Sequence, residues 1–375
     1  MITMTLSYRC SHCQKSFPVD EHRWCCDCGS FLDLEFGLPM SVSDIDTAKN
    51  TLWRYRTFLP IQQEDSIVSL GEGFTPLLPF VIEGKRIWLK MEQLAPTGSF
   101  KDRGASVLIS KLKELGVKEI VEDSSGNAGS AIAAYAAAAG IRCHIFVPRQ
   151  ISPAKTQQIS AYGADLHMIE GDRQATAEAA LQAAQSRYYA SHVWNPFFFQ
   201  GTKTMAYELC EQNHWSAPDT LILPVGNGSL LLGARTGFRE LLAAGIIASL
   251  PRLIAVQSTA FAPLYDAFFT PSDSSPDLSS TTIAEGIAIA HPPRLRQIIA
   301  AIRESGGTVI RVNDIEISEA QDEMAARGLY IEATSAVAIA GLKMYLDSST
   351  HRDELIVCPI TGHGLKTHPF SRKPS

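Results

Sequence analysis

The sequence lacks long apolar runs, an excess of basic charge and any leader pattern at its start. No stretch approaches about 18 uninterrupted apolar residues, so no transmembrane helix is predicted. The 33 Lys and Arg residues are outnumbered by 39 Asp and Glu residues, and we therefore expect neither nucleic acid nor an acidic membrane as the main partner. Met1–Arg9 contains no basic region followed by an apolar core, so a cytoplasmic location is expected.

Charge is sparse in general, because charged residues make up 19% of the chain and apolar residues 45%. This composition is typical of an ordinary globular protein. At 375 residues the chain exceeds the size at which one hydrophobic core usually stops growing. Two lobes with a small additional module are therefore predicted.

Cysteine is scarce over most of the chain but dense near its start. Five of the eight cysteines lie between residues 10 and 28, in two knuckles that are each of the C-x-x-C type if Cys25 pairs with Cys28. Thiolates at this spacing can complete a tetrahedral Zn²⁺ site, and a reducing compartment favours zinc over disulfides. The sequence leaves open whether Cys25 or Cys26 is the third ligand, whether His12 joins, and whether the segment is metal-free. The candidate ligands are Cys10, Cys13, Cys25, Cys26 and Cys28.

The central part of the chain alternates short apolar strands with helices. Predicted helices cover 105–115, 129–139, 153–162 and 175–186, with strands at 119–122, 142–147 and 165–169. The same alternation returns later, with strands at 220–225, 253–257, 308–312 and 355–359. This pattern indicates crossover connections and parallel sheets covered on both faces. We therefore predict two α/β lobes with a cleft between them.

Lys101 stands between a Pro/Gly turn and an apolar run with helical spacing, Ala105–Leu112, so its amine is predicted at a helix start. The positive end of the helix dipole and the neighbouring Arg103 disfavour the charged amine, which lowers its pKa. A neutral amine suits imine formation with a carbonyl cofactor. A solvated surface lysine beside a capping turn would show the same local pattern.

Three loops follow predicted strands. Asp123–Ser130 is a hydroxyl-rich turn that opens a helix, a context that suits a carboxylate ligand or a plain helix cap. Pro224–Gly233 is a glycine loop without an acidic residue placed to hold a ribose, which favours a phosphate without a nucleotide. Val357–Lys366 carries Thr361 and His363 at a strand end, where α/β proteins bind ligands. His363 is more typical of a hydrogen-bonding residue than of a base.

Five motifs, in this order, resemble those of the threonine synthase family, and the cysteine-rich start is similar to the zinc-ribbon-like extension of some members. The motifs are Ser99–Gly104, Ser125–Gly129, Pro224–Gly228, Glu332–Ala336 and Thr361–Lys366. The resemblance implies a pyridoxal-phosphate enzyme of fold type II, the tryptophan-synthase-β type. It implies two doubly wound α/β lobes with a central cofactor cleft, plus a small N-terminal zinc-ribbon-like knuckle. The expected division is 1–38 for the knuckle, 39–104 and 205–375 for the larger cofactor-binding lobe, and 105–204 for the smaller substrate-side lobe.

The resemblance also assigns roles. Lys101 would be the Schiff-base lysine and would shuttle the Cα proton. The implied cofactor-binding residues are Lys101, Phe100, Asn127, Val225, Gly226, Asn227, Gly228, Ser229, Leu230 and Thr361. The implied substrate-binding residues are Ser124, Ser125, Gly126, Ala128, Phe198 and Lys203. A hydroxyl at the pyridine nitrogen enforces ring protonation less than an aspartate would, which favours elimination and replacement at Cβ or Cγ over transamination.

The chain departs from the family pattern where the substrate phosphate is held. Phe198 stands where an arginine is expected, Val193 where a serine is expected, and Leu230 where the glycine loop has a second asparagine. Losing a guanidinium and two polar donors leaves a phosphate short of partners. We therefore predict a substrate that lacks the distal phosphate of O-phosphohomoserine or carries it differently.

The leading prediction is a pyridoxal-phosphate-dependent lyase or synthase that acts at Cβ or Cγ of a small amino acid, with structural zinc, as a homodimer. Threonine synthase proper, a serine/threonine ammonia-lyase and a β-replacing synthase are the alternative enzymes. A retired regulatory module with the same fold is the alternative from another class. The presence of Lys101, Asn127 and Thr361 together argues against it.

Overall fold

The computed structural model describes residues 6–37, 40–149, 153–171, 173–269, 281–348 and 354–366. The strands are β1 (Ser7–Cys10), β2 (Ser16–Pro18), β3 (Leu32–Glu35), β4 (Leu77–Ile82), β5 (Lys85–Lys90), β6 (Glu119–Glu122), β7 (Arg142–Pro148), β8 (Asp165–Ile169), β9 (Tyr188–Tyr189), β10 (Thr220–Pro224), β11 (Arg252–Ser258), β12 (Thr308–Val312) and β13 (Ile356–Pro359). The helices are α1 (Lys101–Glu114), α2 (Asn127–Ala139), α3 (Pro153–Ala161), α4 (Arg173–Ala183), α5 (Pro196–Thr202), α6 (Thr204–Gln212), α7 (Ser229–Ala243), α8 (Pro263–Phe269), α9 (Leu295–Glu304), α10 (Asp314–Ala326) and α11 (Ala333–Ser348).

Two larger sheets carry the predicted α/β architecture. One has the strand order β12-β11-β10-β13-β5-β4, with parallel pairing except for the antiparallel β4–β5 hairpin. The other has the order β8-β7-β6-β9 and is parallel throughout. Every residue of β10 is buried, as expected for a strand covered by helices on both faces. The two-lobed α/β prediction is confirmed.

The third sheet is small and antiparallel, with the order β2-β1-β3. It carries the cysteine knuckles and packs on the main body through aromatic side chains. The rings of Tyr8 and Phe197 lie 5.8 Å apart, and those of Trp24 and Trp194 lie 5.4 Å apart. Arg294 adds a polar link, because its guanidinium donates to Asp33 at 2.7 Å and to the carbonyl of Val193 at 2.9 Å.

Helix α1 begins at Lys101, four residues before the predicted start at Ala105. The preceding turn is closed by Asp102, whose carboxylate accepts hydrogen bonds from the backbone N–H and the hydroxyl of Thr97, at 3.1 and 2.8 Å. This local bond fixes the turn, and the helix can then start directly after it. As a result, Lys101 lies in the first turn of α1.

A buried ionic network fixes α1 to the large sheet. Arg103 donates to Glu92 and Glu208 at 2.6 Å, and Lys90 on β5 donates to Glu208 at 2.7 Å; all four side chains are fully buried. Burial favours the neutral acid, but the cations Arg103 and Lys90 outweigh this effect and hold the pKa of Glu208 below its ordinary value of 4.5. Groups paired so closely position the elements that carry them.

Helix α7 lies against α5 with little space between the backbones. A Cβ at Gly233 would lie 2.0 Å from the hydroxyl oxygen of Thr202, so only glycine fits there.

None of the helices in the described part of the chain combines the length and the apolar character that a membrane span requires.

Candidate active site

The carboxyl ends of β6, β10 and β13 open into one cleft of about 1320 Å³. The loops that follow these strands supply its walls, so residues from both larger sheets face one another across it. Open α/β sheets bind ligands at this edge. The predicted site residues that line the cleft are Phe100, Lys101, Ser124, Ser125, Gly126, Asn127, Ala128, Gly226, Asn227, Gly228, Ser229, Leu230 and Thr361.

Lys101 reaches the cleft from the first turn of α1. Burial lowers the pKa of Lys101 from 10.5 to about 8, although the carboxylates of Glu332 and Glu122 act in the opposite direction. Arg103 is not responsible, because its guanidinium is directed into the buried network with Glu92 and Glu208. The prediction of a lowered pKa is therefore met, but loss of water causes it and the neighbouring cation does not.

The glycine loop between β10 and α7 presents its backbone to the cleft. A Cβ at Gly226 would lie 2.9 Å from the Cα of Ile287, and one at Gly228 would lie 2.4 Å from the side chain of Ile298. Gly228 also has a left-handed φ of +77°, which disfavours other residues. The loop ends at the N-terminus of the 15-residue helix α7, where free N–H groups and the helix dipole favour an anion.

Val225 is the one predicted member of this loop that does not line the cleft. Its side chain is buried, and its carbonyl accepts a hydrogen bond from Gln257 at 3.2 Å. Val225 therefore supports the loop from behind.

Asn127 and Glu332 form a polar contact across the cleft. The amide nitrogen of Asn127 donates to both carboxylate oxygens of Glu332 at 3.0 Å. Burial raises the pKa of Glu332, while the Asn127 amide and the ammonium groups of Lys366 and Lys101 act against this effect. Glu332 was part of a motif in the sequence but had no predicted role.

Thr361 follows the end of β13 by two residues, and its carbonyl accepts a hydrogen bond from the backbone N–H of Phe100 at 3.0 Å. Its hydroxyl lies 3.0 Å from the hydroxyl of Ser335 on α11, and both residues are buried. Ser335 also accepts a hydrogen bond from the backbone of Gly362 at 2.8 Å. Thr361 thus offers a fixed neutral hydroxyl to the cleft.

The hydroxyl-rich loop after β6 forms the opposite wall. Ser124, Ser125, Gly126 and Ala128 all line the cleft. The loop turns sharply into α2, because a Cβ at Gly129 would lie 1.8 Å from the carbonyl oxygen of Ser124. Helix α2 begins at Asn127, and Asn127 and Ala128 line the cleft, so the end of the helix that favours an anion lies at this wall.

Phe198 and Lys203, which the family resemblance assigns to the substrate, are not among the residues that line the cleft. Phe198 is fully buried and fills the space above Gly104, where a Cβ would lie 2.4 Å from its ring. Lys203 is also fully buried, and its ammonium group donates to Glu240 on α7 at 3.0 Å. Burial lowers the pKa of Lys203. Both side chains pack inside the protein.

His192, six residues before Phe198, does line the cleft. The sequence interpretation gave it no role. Its Nδ1 lies 2.9 Å from a carboxylate oxygen of Glu122, the last residue of β6. Strand β9 pairs with β6 in parallel, and this pairing brings the two residues to the same sheet edge. An imidazole soon after a short apolar strand was the only available signal.

The cysteine knuckles bring four sulfur atoms together. Ligand atoms of Cys10, Cys13, Cys26 and Cys28 all lie within 4.8 Å of one another. The sulfurs of Cys10 and Cys28, and those of Cys13 and Cys26, are each 3.5 Å apart. A tetrahedral zinc site with Zn–S bonds of about 2.3 Å has sulfurs about 3.8 Å apart. Cys25 lies outside this cluster, and no group containing His12 is found among the described residues.

The donor set of the cleft fits pyridoxal phosphate. A lysine of lowered pKa can form an imine with its aldehyde, and the glycine loop, which has no room for side chains at Gly226 and Gly228, can hold its phosphate. Asn127 can contact the ring substituents, and Thr361 can face the ring nitrogen.

Comparison with known proteins agrees with this description. Residues 68–362 match the family model described as "Pyridoxal-phosphate dependent enzyme". Threonine synthase of Methanocaldococcus jannaschii is 37% identical over 373 residues, covering 96% of this chain and 92% of the relative. Threonine synthase of Methanosarcina acetivorans is 34% identical over 372 residues, covering 96% of this chain and 91% of the relative. The structure of maize serine racemase matches with a TM-score of 0.67 at 23% identity, covering 77% of this chain and 88% of that chain. At this identity the match supports the fold and nothing further.

The family match and the cleft define a pyridoxal-phosphate-dependent lyase of fold type II. At 33–37% identity over most of its length, the chain belongs to the threonine synthase family.

Proposed function

We propose that this protein catalyses elimination or replacement at Cβ or Cγ of a small amino acid. The observation that carries the proposal is the position of Lys101, whose amine of lowered pKa faces the same cleft as the glycine loop and Thr361. Lys101, the glycine loop and Thr361 would hold the aldehyde, the phosphate and the ring nitrogen of the cofactor, respectively.

The bound cofactor supplies an electron sink that makes the Cα proton of the substrate acidic. Lys101 holds the cofactor at rest, then removes the Cα proton as a neutral amine and returns it. Ser124, Ser125 and the N–H groups that open α2 hold the substrate carboxylate and so fix the Cα–H bond. Thr361 would face the ring nitrogen as a neutral partner, which would limit the electron sink and favour elimination.

The charge of the cleft supports a substrate without a distal phosphate. Its described lining contains two lysines, Lys101 and Lys366, and His192, but no arginine. Lys366 already donates to the carbonyl of Thr97. The described lining includes five carboxylates, which are Glu285, Asp314, Glu319, Asp322 and Glu332. A second phosphate beyond that of the cofactor would find few donors there.

Threonine synthase proper is the second candidate, and the 37% identity to the Methanocaldococcus jannaschii enzyme favours it. A serine/threonine ammonia-lyase and a β-replacing synthase share the chemistry of the leading proposal. The retired module is disfavoured by the intact arrangement of Lys101, Asn127 and Thr361 around one cleft.

A spectral titration tests the proposal. The holoenzyme is mixed in turn with serine, threonine, diaminopropionate, O-phosphoserine and O-phosphohomoserine, and the visible absorbance of the cofactor and the products are recorded. We expect spectral change and turnover with a substrate that has no phosphate, and no turnover by Lys101→Ala, which lacks the base for the Cα proton. Formation of threonine from O-phosphohomoserine at ordinary rates would establish the second candidate instead.

We further propose that Cys10, Cys13, Cys26 and Cys28 hold a structural zinc ion, since four thiolates leave no open position for a substrate. The sulfur separations support this proposal. On the basis of the family resemblance, we also propose that the protein is a cytoplasmic homodimer. Within each chain we propose the domain limits 1–38, 39–104 with 205–375, and 105–204. Light scattering of the purified protein tests the dimer.

A further inference from the structure

His192 and Glu122 form a dyad that nothing in the proposed function uses. His192 is 5% exposed and Glu122 is fully buried. The Nδ1–H of His192 donates to the Glu122 carboxylate at 2.9 Å. His192 and Lys101 line the same cleft, so the dyad belongs to the same site as the amine that removes the Cα proton.

The orientation of the His192 ring is fixed on two sides. The Glu122 carboxylate binds Nδ1, and the ring of Phe198 packs edge-on against the imidazole, with centroids 5.9 Å apart. Phe198 is itself held over Gly104 in α1. A buried carboxylate at Nδ1 selects the tautomer and stabilises the imidazolium form, which makes Nε2 the nitrogen that exchanges a proton.

The dyad lies on the substrate side of the cleft. Glu122 precedes Ser124 by two residues, and the loop from Ser124 is the wall that we assign to the substrate carboxylate. The glycine loop assigned to the cofactor phosphate belongs to the other sheet. A substrate held between these walls therefore has its side chain within the region that His192 lines.

We propose that His192 is a general acid that protonates a hydroxyl leaving group, with Glu122 as its positioning residue, and that the substrate is a β-hydroxy amino acid. This inference rests on the proposed function. Hydroxide is a poor leaving group, and a departing hydroxyl oxygen needs a proton, whereas a phosphate or a chloride leaves without one.

The proposed step balances as follows. Lys101 takes the Cα proton, and the electron pair of that bond forms the Cα–Cβ double bond. The Cβ–O bond breaks, its electron pair stays on oxygen, and the proton of His192 Nε2 completes a water molecule. His192 then regains a proton from solvent.

The test compares two leaving groups in the holoenzyme. We expect His192→Asn to lower kcat for serine or threonine by about 100-fold or more, the usual contribution of a general acid, and to leave kcat for β-chloroalanine unchanged. The dissociation constants of both substrates, measured by spectral titration, should stay near those of the wild type. Glu122→Gln should lower kcat for the hydroxy substrate in the same selective way, by a smaller factor.

His214→Asn is the matched control. His214 is exposed, with a φ of +53° that asparagine also tolerates. Its substitution should change kcat for neither substrate. Equal losses with serine and β-chloroalanine in His192→Asn would show a purely structural role and overturn the inference, as would no loss at all. A wild type that responds to phosphorylated substrates alone would overturn this inference but leave the proposed elimination chemistry intact. Cofactor-loaded wild type that responds to no amino acid would overturn the proposed function as well.

Discussion

At the scale of single residues, the chemistry of the cleft depends on how little water its ionisable groups keep. Burial lowers the pKa of Lys101 and raises that of Glu332, so both groups shift towards their neutral forms. At pH 7 a lysine with a pKa of about 8 is neutral in roughly one molecule in ten, against roughly one in 3,000 for an ordinary lysine. The environment of Lys101 therefore makes it a usable nucleophile near neutral pH.

This environment predicts a pH dependence for cofactor uptake. The rate at which the apoprotein forms its visible chromophore with pyridoxal phosphate should rise with pH and level off above about pH 8, because the attacking neutral amine is then the main form. Stopped-flow absorbance between pH 6 and 10 measures the profile. A rate that continues to rise up to pH 10 would show an ordinary lysine and contradict the account.

The residue scale also shows where sequence reasoning stops. The glycine loop and Thr361 could be predicted because each follows a strand, and strand ends converge in parallel sheets. Lys101 could be predicted from its position between a Pro/Gly turn and an apolar run with helical spacing. The side chains of Phe198 and Lys203 turn inward, towards Gly104 and Glu240, and no local pattern encodes that direction. Glu122 and His192 meet only through the pairing of β6 with β9, seventy residues apart.

At the scale of elements, the glycine loop and the N-terminus of α7 form the assigned phosphate site. Gly228→Ala places a Cβ 2.4 Å from Ile298 in a left-handed backbone, so the loop must move. We expect the dissociation constant of pyridoxal phosphate to rise about tenfold or more, on the order of 1.4 kcal/mol, as measured by equilibrium absorbance titration.

Gly245→Ala is the control for this substitution. Gly245 has a similar φ of +68° but nothing within 4 Å of an added Cβ, so it shares the backbone strain without the collision. It should retain the affinity for the cofactor. Equal loss of affinity in both variants would mean that general destabilisation, and not the loop, is responsible.

The ionic network beneath α1 gives a second prediction for the elements. Arg103→Met leaves the buried carboxylates Glu92 and Glu208 without their guanidinium. Breaking such a buried pair costs roughly 3–5 kcal/mol, so the midpoint of urea unfolding should fall strongly. Arg142→Met, which breaks an exposed pair with Asp165, should shift the midpoint little. A stable Arg103→Met protein would show that the network does not hold α1.

At the scale of the whole molecule, the cysteine-bearing sheet is packed on the segment that carries His192. Tyr8 contacts Phe197, Trp24 contacts Trp194, and Arg294 joins β3 to the carbonyl of Val193. Through these contacts, the packing of the metal site therefore supports the packing of the cleft wall.

This link predicts different results for two neighbouring cysteines. Cys26→Ser should reduce the zinc content, measured by mass spectrometry of the metal, and lower the thermal midpoint of the whole chain, because Cys26 belongs to the four-sulfur cluster. Cys25→Ser should keep both the zinc and the midpoint. The reverse result would reassign the third ligand, and a wild type without zinc would refute the metal site.

The architecture could be predicted from the alternating strands and helices, because crossover units can bury their apolar strands only in parallel sheets. The choice between Cys25 and Cys26 could not, since adjacent residues share the same spacing to within one position. Only the fold of the knuckle, which directs Cys26 towards Cys10, Cys13 and Cys28, decides between them.

The central claim is that Lys101 carries the cofactor covalently. Borohydride reduction of the holoprotein followed by peptide mass spectrometry tests it directly, because reduction makes an imine permanent. We predict a pyridoxyl group on Lys101 and on no other lysine in wild-type protein, and none in Lys101→Ala. A stable pyridoxyl group on a different lysine, or bound cofactor that is never fixed by reduction, would contradict the account.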